Sequence, residues 1–400
     1  MITPDSATLE LRSSPTAFDE IVERCVESIE SLDFAEAKAW KHAAPGRALV
    51  GCFPVYSPVE IFHAAGALPV GLVGGGNRLE IAHADARFQS FVCSIVKSTL
   101  ELGMTGKLDE FDGLVFHSIC DPARNLASVY ARNFPNTKIE YIHFPQRIGA
   151  PDAVDYLAAE YARVAQWAAE LAGKPFSEDR LRASIALYDA IRARIRALYA
   201  LRSEQPHLLS TRELYALVRY GHVVPPEAHL SALDAALEEV AQRGGKPKDR
   251  ARIVLIGSFC EQPPLDLIAS IESAGCYIVD DDFLLGRRFF MQDVGASGDR
   301  PLDRLAEAYV RRSVDSSVKH DLGHSKAQRL VERARELRAD AVVVLTAKFC
   351  EPALFDYVLY RKALQEAHVP HVFLEFEEKM WLFDKIKTEI ETFVESLLFA

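Results

Sequence analysis

Hydrophobic positions along this chain fall into two rhythms, and the change from one to the other divides the sequence. Residues 47–52, 67–73, 114–118 and 138–144 are short apolar runs with the length and composition of buried strands, and helix-period stretches lie between them. Phe88, Phe91, Val92, Ile95, Val96, Leu100 and Leu102 recur at helical spacing, which predicts a buried helix that includes Cys93. Residues 152–240 then carry helical periods only, with 156–171 and 181–201 strongly amphipathic. The polar, breaker-rich stretch 242–250 marks a boundary. Beyond it the first rhythm returns, with strands predicted at 253–256, 276–279, 341–345 and 371–374. Near the start, Phe18, Ile21, Val22, Val26, Ile29 and Leu32 share one helical face. Short apolar strands alternating with long helices predict an α/β protein with two parallel-sheet lobes and a helical segment between them. The expected division is an N-terminal helical segment at 1–45, a first lobe at 46–150, a helical insertion or bridge at 151–245 and a second lobe at 246–400.

Composition narrows the class. With 49% hydrophobic residues and 26% charged ones, the chain has the make-up of an ordinary globular protein. A net charge of -11 without a basic stripe argues against nucleic acid as a partner. No apolar run reaches the roughly 18 residues of a membrane span, and the first residues lack the pattern of a signal peptide. Cysteines stand at 25, 52, 93, 120, 260, 276 and 350, an odd number with no C-x-x-C pair. That usage predicts reduced thiols in a cytoplasmic protein, and any metal site must be assembled from cysteines distant in sequence.

Three of these cysteines occur in one recurring context. Cys120 follows the apolar run ending at Ser118 and precedes Asp121-Pro122; Cys350 follows the run beginning at Ala341 and precedes Glu351-Pro352. Cys260, followed by Glu261 and then by Pro263-Pro264, is a looser copy. An acid and a proline after a strand signal a helix start. The cysteine then sits where backbone N–H groups favour a thiolate or an anionic cluster. The plain alternative is core filling, since free cysteine is among the most buried residue types. The Gly74-Gly75-Gly76 triplet matches no phosphate loop and reads as a turn. Asp280, Asp281 and Asp282 would bind a cation or, more simply, cap a helix or face solvent. Open α/β sheets bind ligands beyond the carboxyl ends of their strands, so the natural site is a cleft between the lobes. Three chemistries fit scattered cysteines: a zinc site, a nucleophilic cysteine with His117 or His143 as base, and an iron–sulfur cluster. The cluster ranks first, because helix amino ends on separate lobes would offset its charge.

At this point the chain resembles the family of 2-hydroxyacyl-CoA dehydratases and ATP-dependent benzoyl-CoA reductases over nearly its whole length. The matching segments are residues 51–69 (GCFPVYSPVEIFHAAGALP), the Cys93 helix, the Cys120 turn, residues 275–282 (GCYIVDDD), and residues 349–352 (FCEP) through 374–376. The resemblance implies two flavodoxin-like lobes with a cubane [4Fe-4S] cluster between them, held by Cys93, Cys120 and Cys350, whose remaining iron faces an acyl-CoA thioester. Residues 258–264 (SFCEQPP) and 277–283 (YIVDDDF) look like a cluster-carrying subunit of benzoyl-CoA reductase, more like the smaller of its two related subunits. The tail 379–395 departs from the glutamine- and arginine-containing dehydratase tail. A 2-hydroxyacyl-CoA dehydratase subunit is the alternative, and a zinc-binding or non-catalytic scaffold subunit a further one. The family pattern implies a heterodimer with a related cluster subunit and an ATP-hydrolysing activator that passes on electrons from reduced ferredoxin. Single electrons would then reach a ketyl-type radical of the thioester. This chain carries no Walker motif of its own.

Around the acyl group the expected residues are Tyr56, Ser57 and Glu60, in the loop after the first strand, together with His117. A carboxylate or imidazole in a dry cleft would have a shifted pKa suited to proton donation. The plainer readings make Glu60 a helix cap behind Pro58 and His117 a satisfied core histidine. Phe53, Tyr56, Phe116, Phe259 and Phe349 lean towards an aromatic substrate.

Overall fold

The computed structural model describes residues 16–54, 56–258, 260–283, 292–295, 300–314, 316–319, 321, 323–377 and 379–398. Phe259 and the first fifteen residues of the predicted N-terminal segment lie outside the described residues. The first sheet contains β1 (Ala48–Cys52), β2 (Ala67–Gly71), β3 (Gly113–His117) and β4 (Lys138–Ile142), in the order β2-β1-β3-β4. The second contains β5 (Ala251–Ile256), β6 (Cys276–Asp281), β7 (Ala341–Ala347) and β8 (His371–Phe376), in the order β6-β5-β7-β8. Every pairing is parallel. Both sheets therefore carry the first four strands of the flavodoxin-type order, with a topological switch between their first and third strands. The two-lobed α/β architecture is the one the periodicity predicts.

Sequence explains which strands sit inside. β1, β2, β3 and β7 are buried at every residue, as uninterrupted apolar runs covered by helices on both faces should be. β4 and β8 lie at sheet edges and are partly exposed. Between the lobes run the helices Ala153–Ala172, Glu178–Glu204, Thr211–Tyr220 and Pro226–Val240. Ser177 caps the second by accepting from the Arg180 N–H, and Ser210 forms a capping box with Glu213 on the third. The N-terminal helix Ala17–Glu30 starts in a capping box at Thr16 and buries Phe18, Val22, Cys25 and Ile29. Its apolar face packs on the helices Thr211–Tyr220 and Pro226–Val240.

The long helix Glu178–Glu204 ties the lobes together through two buried ion pairs. Arg192 Nη1 donates to Glu60 Oε1 at 2.8 Å, on the first lobe. Arg202 Nη1 donates to Asp281 Oδ2 at 2.7 Å, on the second, where Tyr199 Oη also donates to Asp281. Asp280 accepts from Arg333 Nε at 2.8 Å. Asp280 and Asp281 are thus buried members of β6, neither helix caps nor solvated groups, because arginines from two helices neutralise them. Buried apolar side chains from both sheets and the helical segment form one contiguous core, so the relative position of the lobes is fixed by packing.

The helix predicted to include Cys93 begins later than its apolar spacing suggests. It spans Ser94–Met104, and Cys93 is its N-cap. The apolar residues before it are not helical, and Phe91 is exposed on the surface instead of packed in a core.

Candidate functional site

Three helix starts face one cavity. Cys120 is the N-cap of the helix Asp121–Asn133, and Cys350 is the N-cap of Glu351–Glu366, each with proline in the first turn. Both stand three residues beyond the end of the third strand of their sheet, β3 and β7. Cys93, the N-cap of Ser94–Met104, completes the set. Proline at this position needs no N–H partner and has the helical φ already fixed, which is why the acid-proline pair sets the helix start so sharply. Directly before Cys350, Phe349 adopts a left-handed φ of 66°, a conformation that costs a non-glycine residue roughly 1–3 kcal/mol and is often retained at functional positions.

All three cysteines line a cavity of about 790 Å³ between the lobes. Its walls include Phe53, Ile119 and Val96 from the first lobe and Cys260, Glu261 and Phe349 from the second. Arg87 and Arg132 also border it. All seven cysteines of the chain are thiols.

Burial dominates the chemistry of the Cys93 and Cys120 thiols. It pushes Cys120 up to about 11, although the Ala123 main-chain N–H pulls the other way and Asp121 adds a little to the rise. Cys93 is raised well above the usual thiol range by burial first, then by Glu261, Cys350 and Cys120. The helix starts alone do not make thiolates here, contrary to the expectation from the helix amino ends. A lone nucleophile needs a depressed pKa, so the raised Cys93 and Cys120 thiols fit metal ligation, where a bound cation supplies the missing charge, better than covalent catalysis. Among the described residues no group of three or more His, Cys, Asp or Glu side chains is arranged to hold a single metal ion. An iron–sulfur cluster spreads its thiolates over several irons and has no need for them to meet at one point. The donor set of three thiols from three helix starts therefore fits a cluster.

The other sequence-selected residues occupy a layer that does not border this cavity. Ser57 Oγ and His117 Nε2 are hydrogen-bonded at 3.1 Å, and His117 is fully buried against the Phe144 ring. Burial pushes His117 down to about 3, so it is neutral at neutral pH. Tyr56 has a left-handed φ of 60° and packs its ring edge-on to Phe144 and Tyr309. Glu60 is buried, and its Oε2 has no hydrogen-bond partner among the described residues. Its Oε1 is held by Arg192, and the N-cap Pro58 takes no side-chain bond, so Glu60 is no helix cap. Phe53, which does line the cavity, separates it from this layer: Ser57 Oγ donates to the Phe53 carbonyl at 3.5 Å.

Glu261 is the residue that sequence reasoning passed over. It is 2% exposed, and its Oε2 accepts from the Ile95 main-chain N–H at 3.2 Å. The signal was present: Glu261 follows Cys260 as Asp121 follows Cys120 and Glu351 follows Cys350. Pro263 and Pro264 delay the next helix to Leu265, which leaves Glu261 in a loop. Gly257, with a φ of 106°, turns the chain out of β5 into that loop.

Comparison with known proteins places the chain in a family. The family model described as 2-hydroxyglutaryl-CoA dehydratase, D-component, matches residues 54–397. The chain is 37% identical to a benzoyl-CoA reductase subunit of Thauera aromatica over 379 residues, covering 94% of this chain and 98% of that protein. It is 28% identical to the beta subunit of lactoyl-CoA dehydratase of Anaerotignum propionicum, covering 89% and 93% respectively. With the (R)-phenyllactyl-CoA dehydratase beta subunit of Clostridium sporogenes it shares 26% identity, covering 88% and 92%. The match spans both sheets and all three cysteine turns, and the chain belongs to the 2-hydroxyglutaryl-CoA dehydratase D-component family.

Proposed function

We propose that this chain is the iron–sulfur subunit of an ATP-dependent benzoyl-CoA reductase, reducing the aromatic ring of benzoyl-CoA to a cyclic dienoyl-CoA. The observation that carries the reading is the convergence of Cys93, Cys120 and Cys350, each at a helix start, on one cavity between the lobes. The full-length similarity to a benzoyl-CoA reductase subunit supports the choice of substrate. A [4Fe-4S] cluster bound there would supply single electrons at low potential. Phe53, Val96 and Phe349 give that cavity apolar walls suited to a flat acyl group. Arg87 and Arg132 at its border offer cations to the phosphates of CoA. Behind Phe53, the neutral His117 orients Ser57, while the Arg192 pair holds Glu60 and the helix that starts the Tyr56–Glu60 side of the site. In this reading Tyr56, Ser57, Glu60 and His117 shape the pocket wall from behind.

The relatives are named as subunits, and one surface here is suited to a partner. The helix Glu351–Glu366, which begins at Cys350, exposes Phe355, Val358 and Leu359 at helical spacing on one face, and Trp381 and Leu382 are exposed further along the chain. Such apolar exposure is expected to be covered in an assembly. The partners of this reading are a related cluster subunit, an ATP-hydrolysing activator and, through it, reduced ferredoxin. Among the described residues no helix is long and apolar enough to cross a membrane.

The test is to assemble this chain anaerobically with its genomic neighbours, the activator, ATP and a strong reductant, and to supply benzoyl-CoA and a 2-hydroxyacyl-CoA in competition. Loss of the aromatic thioester with formation of a cyclic diene is the expected outcome. An enoyl-CoA formed while benzoyl-CoA stays untouched would replace ring reduction by dehydration.

A further inference from the structure

We infer that Glu261 sets the electron affinity of the group held by Cys93, Cys120 and Cys350, by placing a fixed negative charge beside it; this rests on the cluster reading above. Two features of the structure point the same way. Glu261 lines the cavity with the three cysteines and is nearly inaccessible to water. It reaches from the second lobe to the first, 166 residues away in sequence, and accepts the Ile95 N–H at the start of the helix Ser94–Met104.

The hydrogen bond answers the question of why an acid is buried here. An isolated carboxylate would not stay ionised in so dry a place. A helix amino end offers both unpaired N–H groups and a favourable dipole, and the Ile95 N–H is one of those groups. The Glu261 carboxyl is thereby held against that helix amino end, at a cavity whose border also carries Arg87 and Arg132. A negative charge in a low-dielectric site disfavours the added electron, and net charge and solvent exposure are among the main determinants of cluster potential. Glu261 differs in this from its counterparts: Asp121 and Glu351 follow their cysteines at the same position but are exposed, where water screens them. The consequence for function is a more strongly reducing group, as addition of an electron to an aromatic thioester demands.

The experiment compares parent protein, Glu261→Gln and Glu261→Asp after anaerobic reconstitution. Iron and sulfide content are measured first, then the midpoint potential by a redox titration followed in the visible spectrum. Glu261→Gln keeps the acceptor for Ile95 and removes the charge, so its potential should rise with iron content unchanged. Glu261→Asp keeps the charge one methylene further back and should show a smaller rise. A fully loaded Glu261→Gln with the parent's potential overturns the inference. So does a folded Glu261→Gln that takes up no iron, since the residue would then hold the cluster instead of tuning it. Should Glu261→Gln not fold, an unchanged potential in loaded Glu261→Asp overturns the inference, and the smaller rise upholds it. A parent protein that binds no iron and sulfide removes the cluster reading itself, and this inference falls with it.

Discussion

After β3 in the first lobe and after β7 in the second, the chain does the same thing: a cysteine caps the next helix, and an acid and a proline follow. After β1 and β5 the lobes part. The loop after β1 presents Phe53 to the cavity and buries a neutral layer behind it, made of Tyr56, Ser57 and His117. The loop after β5 lines the cavity itself with Cys260 and Glu261. The strands occupy the same rank in each sheet, so topology does not explain the difference. Side-chain chemistry in the two loops therefore differs, an aromatic ring on one side and a cysteine and an acid on the other, and a site between lobes of like topology has two unlike sides.

The strongest way to break the comparison is at the matched turns. Cys120→Ser and Cys350→Ser should each remove most of the iron bound by the reconstituted protein, and Cys93→Ser should do the same. Cys276→Ser should remove none, since that thiol is buried under β6 and donates to the Ile271 carbonyl. Iron analysis with circular dichroism decides it, and full iron in two of the first three variants would end the three-cysteine assignment.

Next in size come the two ion pairs by which one helix holds both lobes. Arg202 is fully buried among Asp280, Asp281 and Tyr199, whereas Arg192 is slightly accessible beside Glu60 and Asp189. Stranding a buried charge costs about 3–5 kcal/mol. Arg202→Met should therefore lose stability in that range, and Arg192→Met less, as read by urea unfolding. Equal losses would mean that the lobes lean on the helix alike.

The smallest effect is an acid sensitivity that belongs to one side of the molecule. Burial pushes His117 down to about 3, and His222 and His229 to about 3 and about 4, against the usual 6.5. In the second lobe His324 and His368 are exposed. Below pH 6.5 the unfolded chain takes up protons that the folded chain refuses. The stability present above that pH is therefore lost progressively as pH falls towards the folded values. Each such histidine contributes a slope of about 1.4 kcal/mol per pH unit. His117→Gln should lower the slope by that amount between pH 6 and 4, roughly the middle of the window. An unchanged slope would show that His117 is not the buried neutral group its surroundings make it.

The sequence by itself determined the elements. Continuous apolar runs at β1, β2, β3 and β7 dictate parallel strands covered on both faces, and Cys-acid-Pro after a strand dictates a helix start at Cys120 and Cys350. These signals are local, because strand burial, helix caps and proline geometry act over a few residues. Only the tertiary structure decided that Cys93 is also a helix cap, since its apolar neighbours Phe88 and Phe91 mimic a longer helix and in fact border the cavity. It likewise turned Glu261 inward, paired Arg192 with Glu60 across 132 residues and Arg202 with Asp281 across 79, and set Tyr56, Ser57, Glu60 and His117 behind the cavity wall. A buried charge finds its partner through the packing of whole elements, and no spacing along the chain encodes which arginine will be there.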